Sequence, residues 1–143
     1  MRFLLNLVLL CAPPLAAGQD ICSVAWKTEW EAKCGGIGAF QAMSRCFAEK
    51  VAETEKELNQ LYTELRTDLV DPKPLINAER AWIRFRAAEC SYAASGYDCS
   101  SGISGMCNLS QGLCIVELSC DRINQLREHL NKKCNGCPER KSD

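Results

Sequence analysis

Ten cysteines between positions 22 and 137 limit what this chain can fold into more than any other feature. An eleventh, Cys11, sits in an N-terminal stretch that reads as a secretory signal peptide. Arg2 precedes the apolar run 3–11, and Ala12-Pro13-Pro14-Leu15-Ala16-Ala17-Gly18 supplies small residues for cleavage after Ala17 or Gly18. Lipidation at Cys11 is disfavoured because Leu10 stands where a small residue is needed. With 1–18 removed, 19–143 is expected to form one domain carrying an even number of cysteines. In an exported chain that composition implies a disulfide framework, set in the periplasm or outside the cell. Ten cysteines allow about 945 pairings, so the sequence alone leaves the connectivity open.

Between the cysteines the apolar pattern is helical. Trp26 and Trp30 stand at i and i+4, leaving room for a short N-terminal helix before the break at Cys34-Gly35-Gly36-Ile37-Gly38. Phe40, Met43, Phe47, Val51, Thr54, Leu58, Leu61, Tyr62, Leu65 and Leu69 then hold a narrow stripe, predicting a helix of about 45 Å. Lys50, Glu53, Glu55, Lys56 and Glu57 read as its solvated flanks, and Asn59 with Glu55 as weak helix-to-helix glue. Asp71-Pro72-Lys73-Pro74 ends this helix.

The next helix covers 75–90. At 100° per residue, Leu75, Ala78, Trp82, Phe85, Ala88 and Tyr92 share one face, with Arg80 and Arg84 opposite. Glu89 falls on the apolar face, where a carboxylate is costly unless paired. Arg86, three residues earlier, is the nearest partner. A structural ion pair is the expectation here rather than a catalytic acid.

Residues 91–112, rich in Gly and Ser without a period, are expected to form a loop. It is held at Cys90 and Cys114, stapled inside by Cys99 and Cys107, and offers Tyr92, Tyr97 and Asp98 to a partner. A last helix is expected over 113–130, with Leu113, Val116, Cys120, Ile123, Leu126 and Leu130 as its apolar face, Arg122 on the border and Arg127 within it. The Cys134-Asn135-Gly136-Cys137 motif lacks the surrounding strands of a redox site and reads as a structural disulfide.

Little catalytic chemistry is available. With one histidine, His129, and no Ser or Cys in a nucleophile setting, a hydrolase triad has no base to spare, and a zinc site at Cys134 and Cys137 would need two more ligands. No phosphate-cradling glycine loop follows a strand. No catalytic, metal or cofactor residues are assigned, and the chain is not read as an enzyme. Without Arg2, 16 basic side chains face 18 acidic ones, a net of −2, too balanced to argue for nucleic acid or an anionic membrane surface, and no nucleic-acid partner is expected. No stretch beyond the signal is apolar for long enough to span a membrane.

The order Cys34, Gln41, Cys46, Glu55-x-x-Leu58-Asn59-x-x-Tyr62, Ala81-Trp82-Ile83-x-Phe85-Arg86-x-x-Glu89-Cys90, Cys114, Leu118-Ser119-x-x-Arg122-x-x-x-Leu126 resembles the LprI-like lysozyme-inhibitor family, bacterial exported domains. The Trp-x-x-Phe-Arg-x-x-Glu-Cys block is its specific part. Glu55 departs from the usual Asp, and Cys22, Cys99, Cys107, Cys120, Cys134 and Cys137 are additions. The resemblance implies Cys34–Cys46 and Cys90–Cys114 bridges and adds Arg122 as a further partner for Glu89. The expected fold is all-α: a disulfide-stapled antiparallel bundle of three main helices. The expected function is binding and inhibition of lysozyme or another cell-wall hydrolase. Tyr92 and Tyr97 would be its anchors, with Ser100, Ser101 and Ser104 as donors. The competing expectation is a structural or stress-related envelope protein with no enzyme target.

Overall fold

The computed structural model describes residues 20–35, 40–100 and 105–141. The signal segment 1–18, Gly36, Ile37 and Gly38 of the glycine break, Ser101 and Ser104 lie outside the described residues. Among the described residues there are four helices: α1 (Trp26–Cys34), α2 (Phe40–Asp68), α3 (Lys73–Ala93) and α4 (Gly105–Leu130). Each helix runs antiparallel to the next, so α2 and α4 lie parallel. Side-chain pairs show the register: Ser44 of α2 meets Gly105 of α4, while Glu79 and Arg86 of α3 meet Arg122 and Ser119 of α4.

The stripe on α2 does the work expected of it. Phe47, Leu58, Leu65 and Leu69 are buried with Thr54, and α4 answers with Leu109, Val116, Cys120, Ile123 and Leu126. Removing such side chains from water contributes roughly 2 kcal/mol each. Trp26 and Trp30 of α1 close one end, with the Trp30 and Phe47 rings 6.2 Å apart.

Lys50 is a correction to the picture of a solvated flank. It is 2% exposed, because α1 lies across that side of α2. Its ammonium donates to the Ile21 carbonyl oxygen and sits 5.6 and 5.8 Å from the Trp26 and Trp30 ring centroids. A cation can be buried there because an oxygen and two ring faces replace part of its water.

Five disulfides join the ten cysteines: Cys22–Cys120, Cys34–Cys46, Cys90–Cys114, Cys99–Cys107 and Cys134–Cys137. The first ties the N-terminal segment to α4 across 98 residues. The tail returns to α2 through one antiparallel bridge, Leu69 with Arg140. Buried Arg140 donates to Asp68 and to the His129 carbonyl oxygen.

The connection between α3 and α4 is shorter than the glycine-rich composition suggests. Helix α3 continues through Ala93 and α4 begins at Gly105, not near Leu113. Packing overrides propensity over those first turns: Gly105, Cys107 and Leu109 are buried against the bundle, and the Ser44 hydroxyl donates to the Gly105 carbonyl oxygen at 2.8 Å.

Candidate partner-binding surface

Helix α3 positions most of the residues singled out in the sequence, and it sits rotated from the face its apolar pattern suggests. The inward side carries Leu75, Glu79, Trp82, Arg86 and Cys90, at spacings of four, three, four and four residues. Two charges are thus turned inward, and each finds a partner on another helix. The Arg122 Nε and Nη2 donate to Glu79 Oε2 at 3.0 and 2.9 Å, and Nη1 reaches Gln125 at 3.1 Å. Arg86 Nη1 donates to Glu55 and, at 2.7 Å, to the Ser119 hydroxyl, while its guanidinium lies 4.7 Å from the Trp82 ring centroid. These charge-assisted contacts fix the rotation of α3, because a helix turned otherwise would leave the half-buried Arg122 and Glu55 without their partners.

The Arg86–Glu89–Arg122 ion pair is therefore corrected. Glu89 is exposed, Arg86 belongs to Glu55 and Ser119, and Arg122 belongs to Glu79. Glu55 does join helices, but through Arg86; Asn59 is exposed beside it on the rim of a shallow groove of about 140 Å³ that also includes Tyr62 and Trp82. Glu79 is the residue the sequence reading passed over, and Ser119, quoted there only within the family motif, was given no partner. The spacing that would have found Glu79 is its seven-residue separation from Arg86, on the same face as Leu75, Trp82 and Cys90.

Arg127 is not an apolar-face anomaly either. It bridges Asp20 at 2.9 Å and Glu57 at 3.0 Å, so it fastens the N-terminal segment to α2. The hydrogen bond from Arg127 holds the Asp20 carboxyl below the ordinary carboxylate range.

The outward side of α3 is apolar and uncovered among the described residues. Phe85 is 52% exposed and Tyr92 75%, with Ala78, Ala81 and Ala88 exposed between and beside them. Beyond α3, buried Ala94 starts a short connection in which Tyr97 is 42% exposed. Asp98 Oδ1 accepts from the Ser100 amide at 2.9 Å and from its hydroxyl at 2.5 Å, and these bonds lower the Asp98 pKa. The Cys99–Cys107 bridge ties the connection to the first turn of α4, and the Ser110 hydroxyl donates to the Ala93 carbonyl oxygen at 3.4 Å. Tyr92 and Tyr97 thus belong to different elements, one helix and one loop. Ser100 is engaged within its own turn. Ser101 lies outside the described residues.

Among the described residues no helix is long and apolar enough to cross a membrane, and no three His, Cys, Asp or Glu side chains gather as a metal site. The architecture is that of a disulfide-stapled all-α bundle that displays an aromatic helix face and a cross-linked loop. Residues 31–126 match the model of the family described as lysozyme inhibitor LprI, and the chain belongs to that family. No curated protein and no solved structure matches it.

Proposed function

We propose that this chain, exported by cleavage of the signal at 1–18, binds a lysozyme-type cell-wall hydrolase in the periplasm or outside the cell and blocks its cleft. Family membership supports the target class, and five disulfides suit an oxidising compartment. The observation that carries the reading is the tethered connection after α3. It presents Tyr97 while Cys90–Cys114 and Cys99–Cys107 hold it to α4. A segment cross-linked at Cys99 before docking loses less conformational freedom on binding, and tyrosine is a favoured interface anchor. Such a loop blocks a glycan cleft by occupying the space between its two catalytic carboxylates, without chemistry of its own.

Turbidity loss of a peptidoglycan suspension with lysozyme, measured with and without the purified mature protein, tests this. Lysis should slow at stoichiometric excess, and Tyr97→Ala should weaken inhibition on the order of tenfold. Undiminished lysis at a large molar excess would instead favour the envelope-protein role.

A further inference from the structure

The tail folds back onto the end of α2. The Val70 amide donates to the Glu139 carbonyl oxygen at 3.1 Å, and the Lys141 amide donates to that of Asp68 at 2.8 Å. Cys134–Cys137 closes the turn that leads into this return. The end of α2, the start of α3, the end of α4 and the tail together line a cavity of about 250 Å³, with Leu65, Leu69, Leu75, Leu126 and Pro138 as its apolar wall. Arg122, His129, Arg140 and Asp71 complete the lining. Each guanidinium is already neutralised, Arg122 by Glu79 and Arg140 by Asp68. His129 is different. It is the chain's one histidine, it is half-buried, and its imidazole has no hydrogen-bond partner among the described residues.

We infer that this cavity is a binding site for an uncharged, mainly apolar molecule with one hydroxyl group, held through that hydroxyl by the His129 imidazole. Size sets the body: an apolar cavity of roughly 150 Å³ takes benzene, so the larger one here suits on the order of ten non-hydrogen atoms. Charge sets the head. An acid would meet the Asp71 carboxylate with no spare cation to answer it, because both arginines are paired. An amine would meet two guanidinium groups in the wall. A hydroxyl both donates and accepts, as a neutral imidazole does, and burying it without a partner is costly. Leu75 stands near the start of α3 and Tyr97 follows its other end, about 27 Å of helix away at 1.5 Å per residue. The site is therefore separate from the Tyr97 loop and independent of the inhibitor reading.

The test is equilibrium dialysis of the mature, disulfide-bonded protein against 1-naphthol, with naphthalene and 1-naphthoate as the same body without the hydroxyl and with a charged head. The wild type should take up 1-naphthol one to one, and bind 1-naphthoate on the order of tenfold more weakly or worse. His129→Leu should weaken 1-naphthol binding on the order of tenfold and leave naphthalene binding unchanged, a difference that a merely structural role for the histidine would not produce. Ala78 also lines the cavity and is exposed, so Ala78→Phe should obstruct the site and block uptake of both, with melting read alongside. No saturable uptake of 1-naphthol by the wild type, or equal uptake by a folded Ala78→Phe, would overturn the cavity as a binding site. Tighter binding of 1-naphthoate, or 1-naphthol binding that His129→Leu leaves intact, would overturn the hydroxyl ligand held by His129.

Discussion

Glu79 and Glu89 stand ten residues apart on α3, and 100° per residue separates their directions by about 80°. That rotation puts one carboxylate against Arg122 in the bundle and leaves the other in water. The two side chains of the inner pair are 8% and 13% exposed, so removing one strands the other away from solvent. Glu79→Ala should cost about 3 kcal/mol, whereas Glu89→Ala should stay within about 0.5 kcal/mol. Urea midpoints of the two variants decide it: equal midpoints would mean that Arg122 is solvated well enough to do without its partner. The motif made Glu89 look like the charge in need of a partner because the alanines and Phe85 around it imitate a buried face. What the single-helix pattern could not register is that two opposite charges on neighbouring helices fill interior positions together.

At the scale of elements, α2 was legible and the start of α4 was not. A thirty-residue stripe of large apolar side chains has one low-energy disposition, toward a core. The segment 105–112 holds two glycines, an asparagine and a serine, all poor helix formers, and it is helical through burial of Cys107 and Leu109 and the cross-links at Cys107 and Cys114. That origin leaves stability to be gained. A Cβ at Gly112 would meet only Val51 Cγ2, at an ordinary 3.8 Å. Gly112→Ala should therefore stabilise the protein by about 0.5–1 kcal/mol, read as a higher melting temperature. A drop would show that the helices approach more closely there than van der Waals contact allows.

Over the whole molecule, the N-terminal segment is attached by contacts that span the chain: Cys22 to Cys120, Arg127 to Asp20, and Lys50 to the Ile21 carbonyl oxygen. Burial lowers the Lys50 pKa below its ordinary 10.5, against the opposing influence of Glu53, Glu29 and Asp20. Between the lowered folded value and 10.5 the unfolded chain binds the extra proton, so this residue's contribution to stability improves as pH rises through that window. Asp20 has the opposite placement on the scale: its contribution is present above 3.8 and is lost as pH falls through its lowered folded pKa. Denaturant midpoints of wild type and Lys50→Met, compared from pH 7 to pH 11, isolate the lysine. The wild type should gain on the variant as pH rises; parallel curves would mean that Lys50 keeps its charge without penalty.

Composition and periodicity by themselves determined that this is an all-α chain built on one long apolar stripe, because such a stripe must be covered and only further helices were available to cover it. The ordered motif residues placed the chain in its family for the same local reason: they are read in linear order, without contacts. Tertiary structure decided the rest. Which way α3 turns depends on Glu55, Ser119 and Arg122, which lie 31 to 43 residues from their partners. The burial of Lys50 depends on α1 crossing it, and the pairing of Cys22 with Cys120 on a bundle already assembled. Each of these is an interaction between distant segments whose energy depends on distance and solvent exclusion, and neither quantity is written in the linear order of residues.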